Sequence, residues 1–454
     1  MEPNRTVKRA KPPFNRDDAD IILRSKDHVD FYLHRQFLTV ASPFFTDLFS
    51  LKQPLTDDGQ PHATLNGKRV PIIHLTETDL VLDSLFRILY PTEWSPGDIL
   101  SMADTLGAAR KYQIEYAERK LRGLLFDNLE TEPMAVYAVA CALGIEDTAA
   151  KAASTLRRQA RIESVSLKLP YHPSMNGRVS AGQYHRLLQH CRCHTAVKTF
   201  IVHDPSPGSG KPKTAKDRKP DFIGGLKDLD DLQLFPPNIL DVNPSGRIPS
   251  DIIVRSSDGH HFATHIFILR LASPMLSELV DSPDLPIVDD RPCLKLDVDG
   301  KVLRQVLERC YPYPPWSIQD LDALTAIADA AKKYKIIGLV NLARNCLVHV
   351  AETSSDALRA FCIAVFHGWR EEAQKVGEIF GKLPNGTTYA YGPDAYRPEM
   401  ELIPAWPYRC LLLYLRDCLN CLQRSDPAVL LSLMTLNQEV DEALSSAGTF
   451  DPGF

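Results

Sequence analysis

The stretch DIILRSKDHVDFYLHRQFLTVASPFF, residues 20–45, decides the fold because it occurs a second time, as DIIVRSSDGHHFATHIFILRLASPML, residues 251–276. The two align without a gap at an offset of 231, with 12 identities in 26 positions. Working outward, LTETDLVLDSLFRILYP from Leu75 matches LDVDGKVLRQVLERCYP from Leu296 at offset 221, and AARKY from Ala108 matches AAKKY from Ala330 at offset 222. Further on, EPMAVYAVACALGIED from Glu132 lies over DALRAFCIAVFHGWRE from Asp356 at offset 224, and Tyr184 and Tyr408 keep that offset. A unit of this size far exceeds solenoid repeats of roughly 20 to 50 residues, so the pattern reads as domain duplication.

Each copy opens with a hairpin signal. In the second, Ile252, Ile253 and Val254 precede Asp258-Gly259, a pair suited to a turn with positive φ, and HFATH returns. In the first, Ile21, Ile22 and Leu23 precede Lys26-Asp27, with Phe31 and Leu33 returning, and the turn lacks a glycine. Ser42-Pro43 and Ser273-Pro274 are matching helix starts: serine caps an orphan amide, and proline fits the first helical position, where no amide is needed. Leu82, Leu85, Phe86 and Leu89 make an i, i+3, i+4, i+7 stripe that Leu303, Val306, Leu307 and Cys310 repeat. Thr78 and Asp299 stand at N-cap positions, and Pro91 and Pro312 stop the helices. Ile99, Met102, Ala103, Leu106 and Ala109 form a second stripe, matched by Leu321, Leu324, Thr325, Ala328 and Ala331. Strands followed by helices make each unit α+β.

The order of signatures resembles the BTB/POZ family: an initial D-I-[IV] strand, a hairpin, F-x-x-H, a helix ending A-S-P, a strand and helix ending in tyrosine, then A-A-x-K-Y. These are Asp20, Phe31, His34, Ala41-Ser42-Pro43, Tyr90 and Ala108–Tyr112 in the first copy; in the second they are Asp251, Phe262, His265, Ala272-Ser273-Pro274, Tyr311 and Ala330–Tyr334. The downstream halves resemble the helical extensions of fungal tandem BTB proteins. The expected organisation is a disordered tail at 1–16, a first BTB/POZ-like domain at 17–126, an all-α extension at 127–202 and a flexible linker at 203–247. A second BTB/POZ-like domain at 248–350, a second extension at 351–440 and a tail at 441–454 complete it. The core of the linker, HDPSPGSGKPKTAKDRKP, is rich in Pro, Gly, Ser and Lys and poor in large apolar residues.

The resemblance implies a non-catalytic scaffold that binds protein partners through its BTB domains, paired within the chain or in a homo-oligomer. It also admits a substrate adaptor that holds a cullin of a cullin-RING ubiquitin ligase. The hydrophobic-x-Glu signature used by many such adaptors is absent from FSLKQP at Phe49 and VDSPDLP at Val280. The family's pocket pairs an acidic residue on the first strand with a base after the histidine. That would be Asp20 with Arg35, but Asp251 faces Ile266, so the carboxylate also reads as a strand-edge cap or a surface ion pair. His34 and His265 read as structural hydrogen-bonding residues. The signature and pairing positions are therefore Asp20, His34, Arg35, Ser42, Asp251, His265 and Ser273.

Composition bounds the alternatives. A chain of 454 residues exceeds the roughly 250–300 at which single cores stop growing, so two or more domains are expected. A net charge of −5 supplies no basic field for nucleic acid. No run of eighteen apolar residues occurs to span a membrane, and MEPNRTVKRAKPPFNRDD has no apolar stretch behind its basic residues. The expectation is an intracellular protein, cytoplasmic or nuclear, with its ten cysteines reduced. No catalytic serine elbow or phosphate-binding glycine loop is present, and no cofactor is expected. His190-Cys191-Arg192-Cys193-His194 is the densest metal-capable cluster, and a metal or thiol enzyme centred on Cys191 and Cys193 is the different-class alternative. On a helix only His190 and His194 would share a face. Cys418 and Cys421 form a lone C-x-x-C read as core thiols.

Overall fold

The structure is a computed structural model that describes residues 7–50, 62–162, 172–192, 197, 199–201, 239–243, 248–311, 318–353, 356–383, 390, 392 and 395–424. The chain divides into two compact units: Met1–Val179 with Arg186–His203, and Ser180–His185 with Asp204–Phe454.

In the first unit β1 (Lys8–Arg9), β2 (Ile21–Arg24), β3 (Val29–Leu33), β4 (His62–Leu65) and β5 (Lys68–His74) form one sheet in the order β1-β3-β2-β5-β4. Strands β2 and β3 are the expected hairpin, pairing Ile21 with Leu33 and Arg24 with Asp30. Parallel pairing of β2 with β5 places Ile22 opposite Ile72. Helices α1 (Arg35–Ala41) and α2 (Pro43–Ser50) fill that crossover, and α3 (Asp79–Leu89), α4 (Ile99–Lys111) and α5 (Glu115–Asp127) follow. Ile21, Ile22 and Leu23 are all fully buried, as expected of β-branched and leucine side chains on a central strand covered on both faces. The stripe Leu82, Leu85 and Phe86 is buried, as are Ile99, Met102, Ala103, Leu106 and Ala109. Helices α6 (Pro133–Ala142) and α7 (Glu146–Ile162) come next, and α8 (Ala181–Arg192) has its residues to His185 in the second unit and those from Arg186 in the first. Buried on all sides, α6 is apolar right round, where an exposed helix would show one stripe.

The second unit contains β6 (Ile239–Asp241), β7 (Ile252–Arg255), β8 (His261–Thr264), β9 (Ile287–Val288) and β10 (Arg291–Lys295), in the order β6-β8-β7-β10-β9. Strand for strand this is the first sheet again, with Ile253 opposite Cys293 where Ile22 faces Ile72. Helices α9 (Ile266–Ala272), α10 (Pro274–Val280), α11 (Gly300–Cys310), α12 (Leu321–Lys333) and α13 (Ile337–Thr353) follow, then α14 (Ala357–Phe366), α15 (Arg370–Lys382) and α16 (Ala405–Arg424).

Two stretches differ from the sequence expectation. Within the tail expected at 1–16, β1 runs parallel to β3, with Lys8 opposite Val29, and Phe14 is wholly buried. The Phe14 ring meets Phe31, Phe86 and Tyr90 at centroid distances of 6.0, 6.0 and 5.4 Å. One aromatic among basic residues gives no periodicity, so only tertiary contact shows that it belongs to the core. Within the linker expected at 203–247, β6 pairs with β8, Ile239 opposite His261, and plays the same part at that sheet edge. Most of the linker, including HDPSPGSGKPKTAKDRKP, lies outside the described residues, which within 203–247 are 239–243.

The hairpin turns show what one missing glycine does. Gly259 has φ +93°, and His28, its counterpart, is held at φ 64° in the left-handed region that side chains other than glycine and asparagine rarely enter.

Candidate functional site

The signature residues are placed by local geometry that both units share. Asp20 Oδ1 accepts the backbone amide of Arg35 at 2.7 Å, and Asp251 Oδ1 accepts that of Ile266 at the same distance. Each carboxylate thus satisfies an orphan amide at the start of the first helix, a bond that asks nothing of the following side chain. That explains how Ile266 can stand where Arg35 does. The Arg35 guanidinium lies 5.3 Å from the centre of the Phe49 ring.

Ser42 and Ser273 are fully buried and do double duty. Ser42 Oγ donates to the Tyr112 carbonyl at 2.5 Å and accepts the Phe45 amide at 3.1 Å. Ser273 Oγ donates to the Tyr334 carbonyl at 2.5 Å and accepts the amides of Met275 and Leu276 at 3.1 and 3.3 Å. The A-S-P and A-A-x-K-Y signatures are therefore two ends of one hydrogen-bonded joint. Its far side is also polar. Tyr112 and Lys111 both donate to the Glu77 carboxylate, while the Tyr334 hydroxyl accepts the Asp297 amide at 2.8 Å. Burial opposes ionisation of Glu77, but the bonds from Lys111 and Tyr112 outweigh it and hold the carboxyl below its usual range.

The two histidines differ in surroundings. His265 is buried, its Nδ1 2.7 Å from the Tyr311 hydroxyl and its Nε2 3.2 Å from the Ile248 carbonyl. His34 is one-third exposed, its Nε2 3.6 Å from Asp18, and its backbone amide donates to the Tyr90 hydroxyl at 3.1 Å. Both sit where strand passes into helix.

The turn aspartates that the sequence marks have a second role. Asp27 Oδ1 accepts the Asp79 amide at 2.9 Å, and Asp258 Oδ1 accepts the Gly300 amide at 3.0 Å. The hairpin turn thereby caps α3 and α11. Asp299 also caps α11 through Lys301, whereas the Thr78 hydroxyl makes no cap bond, the turn aspartate serving in its place. The repeated aspartate was visible in the sequence, but nothing in its spacing tells which helix it reaches.

Outward-facing apolar side chains collect on the first helices. Val40 on α1 is 85% exposed and Leu271 on α9, its counterpart, is 83% exposed. Phe37 and Phe267 on the same two helices are half-exposed, and the Phe37 ring stacks on Tyr90 at 4.6 Å. A seven-residue helix with one buried face leaves such positions in water unless another surface covers them. This pair of faces is the candidate site, and its chemistry is apolar association.

The metal-capable cluster is only partly described. His190 packs edge-on against Phe200 at 5.1 Å, and burial, with Arg157 close by, pushes its imidazole below the usual value. Cys191 is half-buried, and Cys193 and His194 lie outside the described residues, as do the side chains of Cys418 and Cys421. Among the described residues no group of three or more His, Cys, Asp or Glu side chains could hold a metal ion. Among them, too, no helix is long and apolar enough to cross a membrane.

Comparison with known proteins agrees with the geometry of the first unit. No curated protein matches the chain. Residues 12–129, from just ahead of Phe14 to just beyond α5, match the BTB/POZ domain family, so the chain carries a BTB/POZ domain, a protein-interaction module, over that stretch.

Proposed function

We propose that the chain is a non-catalytic interaction scaffold with two BTB/POZ-type modules, at 17–126 and 248–350, each with a helical extension, at 127–202 and 351–440. In this reading the two modules pair within one chain through their first helices. The observation that carries it is the matched exposure of Val40 and Leu271 at one position of the repeat. A single exposed apolar residue is ordinary on a protein surface, but recurrence at equivalent places beside Phe37 and Phe267 marks a face kept for a partner. The faces have diverged, with Gln36 where the second copy has Phe267, so they can be complementary without being identical.

Tethering favours the internal partner. A linker that spans two sites raises their effective concentration to the millimolar range. Light scattering on the full chain tests this. One chain mass across a hundredfold dilution is expected, and Val40→Asp with Leu271→Asp should expose apolar surface to a dye without changing that mass. A two-chain mass that survives dilution overturns internal pairing.

A further inference from the structure

Outside the BTB/POZ signatures, equivalent residues of the duplicated sequence meet among the described residues. Ser180 and Pro404, related by the 224-residue offset, form an antiparallel β-bridge, and the Ala181 amide donates to the Ile403 carbonyl at 2.9 Å. Four residues on, Tyr184 and Tyr408 stand at the same offset, their rings edge to face at 6.4 Å. Both segments, Ser180–His185 and Glu401–Tyr408, belong to the second compact unit. Two such pairs of counterparts meet here, one through the backbone and one through side chains.

The site is built, and mostly buried. Ser180 and Gln183 form a capping box at the start of α8: Ser180 Oγ accepts the Gln183 amide at 3.0 Å and Gln183 Oε1 accepts the Ser180 amide at 2.9 Å. The same Ser180 hydroxyl donates to Glu401 Oε2 at 2.6 Å, and the Tyr396 hydroxyl reaches Glu401 Oε1 at 3.1 Å. Tyr408 donates its hydroxyl to the Ala390 carbonyl at 2.7 Å and lies 2.9 Å from His185 Nδ1. Glycine is required at 182, because a Cβ there would stand 2.0 Å from the Glu401 carboxylate that Ser180 and Tyr396 hold. Pro404 can occupy the bridge since the flanking Ala181–Ile403 bond makes Ser180 and Pro404 a non-hydrogen-bonded pair, in which neither donates to the other.

We infer that Ser180–Tyr184 and Pro404–Tyr408 are the two halves of a self-pairing clasp, an interaction surface whose occupant is its own counterpart in the same chain. Both halves lie within the second compact unit, and the clasp is independent of the first-helix faces invoked above. A second chain could offer the same counterpart, so the experiment separates the two sources.

Ser180→Cys with Pro404→Cys in the full chain is the test. Opposed residues of a non-hydrogen-bonded pair have Cα atoms about 4.5 Å apart, within the range a disulfide bridges. Under mild oxidation the double variant should form a crosslink within one chain, in the same yield over a hundredfold dilution, that neither single variant forms. A covalent dimer of chains, or no crosslink in protein whose far-ultraviolet dichroism is native, overturns the clasp. The crosslink should persist in the Val40→Asp, Leu271→Asp background, so failure of first-helix pairing and failure of the clasp are separate results. Hydrogen exchange on the unaltered chain guards against a variant that does not fold. Ala181 is the first residue of α8, where an amide has no intrahelical acceptor, so slow exchange there requires the bond to Ile403. Protection at least tenfold over an unstructured amide, unchanged on dilution, supports the clasp; exchange at the unprotected rate overturns it.

Discussion

Replacing Ser273 by alanine isolates the joint that links the A-S-P signature to the second A-A-x-K-Y tyrosine. The hydroxyl is fully buried and makes three bonds: one donated to the Tyr334 carbonyl at 2.5 Å and two accepted from the Met275 and Leu276 amides. Losing the cap costs about 1 kcal/mol, and leaving a buried carbonyl without its donor costs about 1–3 kcal/mol more. The expected loss is therefore about 3 kcal/mol, a large part of the roughly 5–15 kcal/mol that holds a domain folded. With a urea slope of about 2 kcal/mol per molar, the midpoint of the affected transition should fall by about 1.5 M. Since the chain has two compact units, hydrogen exchange read by peptide should accompany the urea titration, with Met275 and Leu276 losing protection first. Ser42→Ala should act alike in the first unit, because Ser42 bonds Tyr112 and Phe45 in the same way. A loss below about 0.5 kcal/mol for both variants, within the scatter of ordinary surface substitutions, would refute the assignment of these serines as structural joints.

Two further outcomes follow from places where the copies differ. His28→Gly should stabilise the first unit by about 0.5 kcal/mol and Gly259→Ala should destabilise the second by about 1 kcal/mol, as the left-handed turn favours glycine; urea midpoints of the single variants check both. His367 stacks on Trp369 at 4.6 Å, with the half-exposed Asp329 carboxylate 3.9 Å away, and burial, aided by Lys332, pushes its imidazole down to about 4. A depressed histidine stays neutral in the folded state, so its contribution is complete above the unfolded value of about 6.5 and is lost as pH falls from there toward 4, by about 3 kcal/mol. Leu143 stands at this position in the first copy, and His367→Leu should remove the acid-side loss; stability measured at pH 7 and pH 4.5 for both proteins shows whether it does.

Duplication and α+β order were legible in the sequence because both rest on local, additive signals: gapless identity over 26 positions, hairpin turns, and apolar stripes at helical spacing. Burial of Leu82, Leu85 and Phe86, and of Leu303, Val306 and Leu307, follows from that spacing alone. The signature residues were equally visible, but what they bond to was not. That Asp20 and Asp251 hold a backbone amide, that Asp27 and Asp258 reach across to a distant helix, and that Ser42 joins Tyr112 70 residues away are long-range facts. Only the folded chain brings such partners together, because hydrogen bonds depend on distance in space and leave no period in the sequence. Phe14 and the strands β1 and β6 were hidden for the same reason, each gaining its order from a sheet edge supplied elsewhere in the chain. Sequence offset pointed out Tyr184 and Tyr408 as equivalents; tertiary structure decided that their rings meet, because contact is a property of packing and not of either segment by itself.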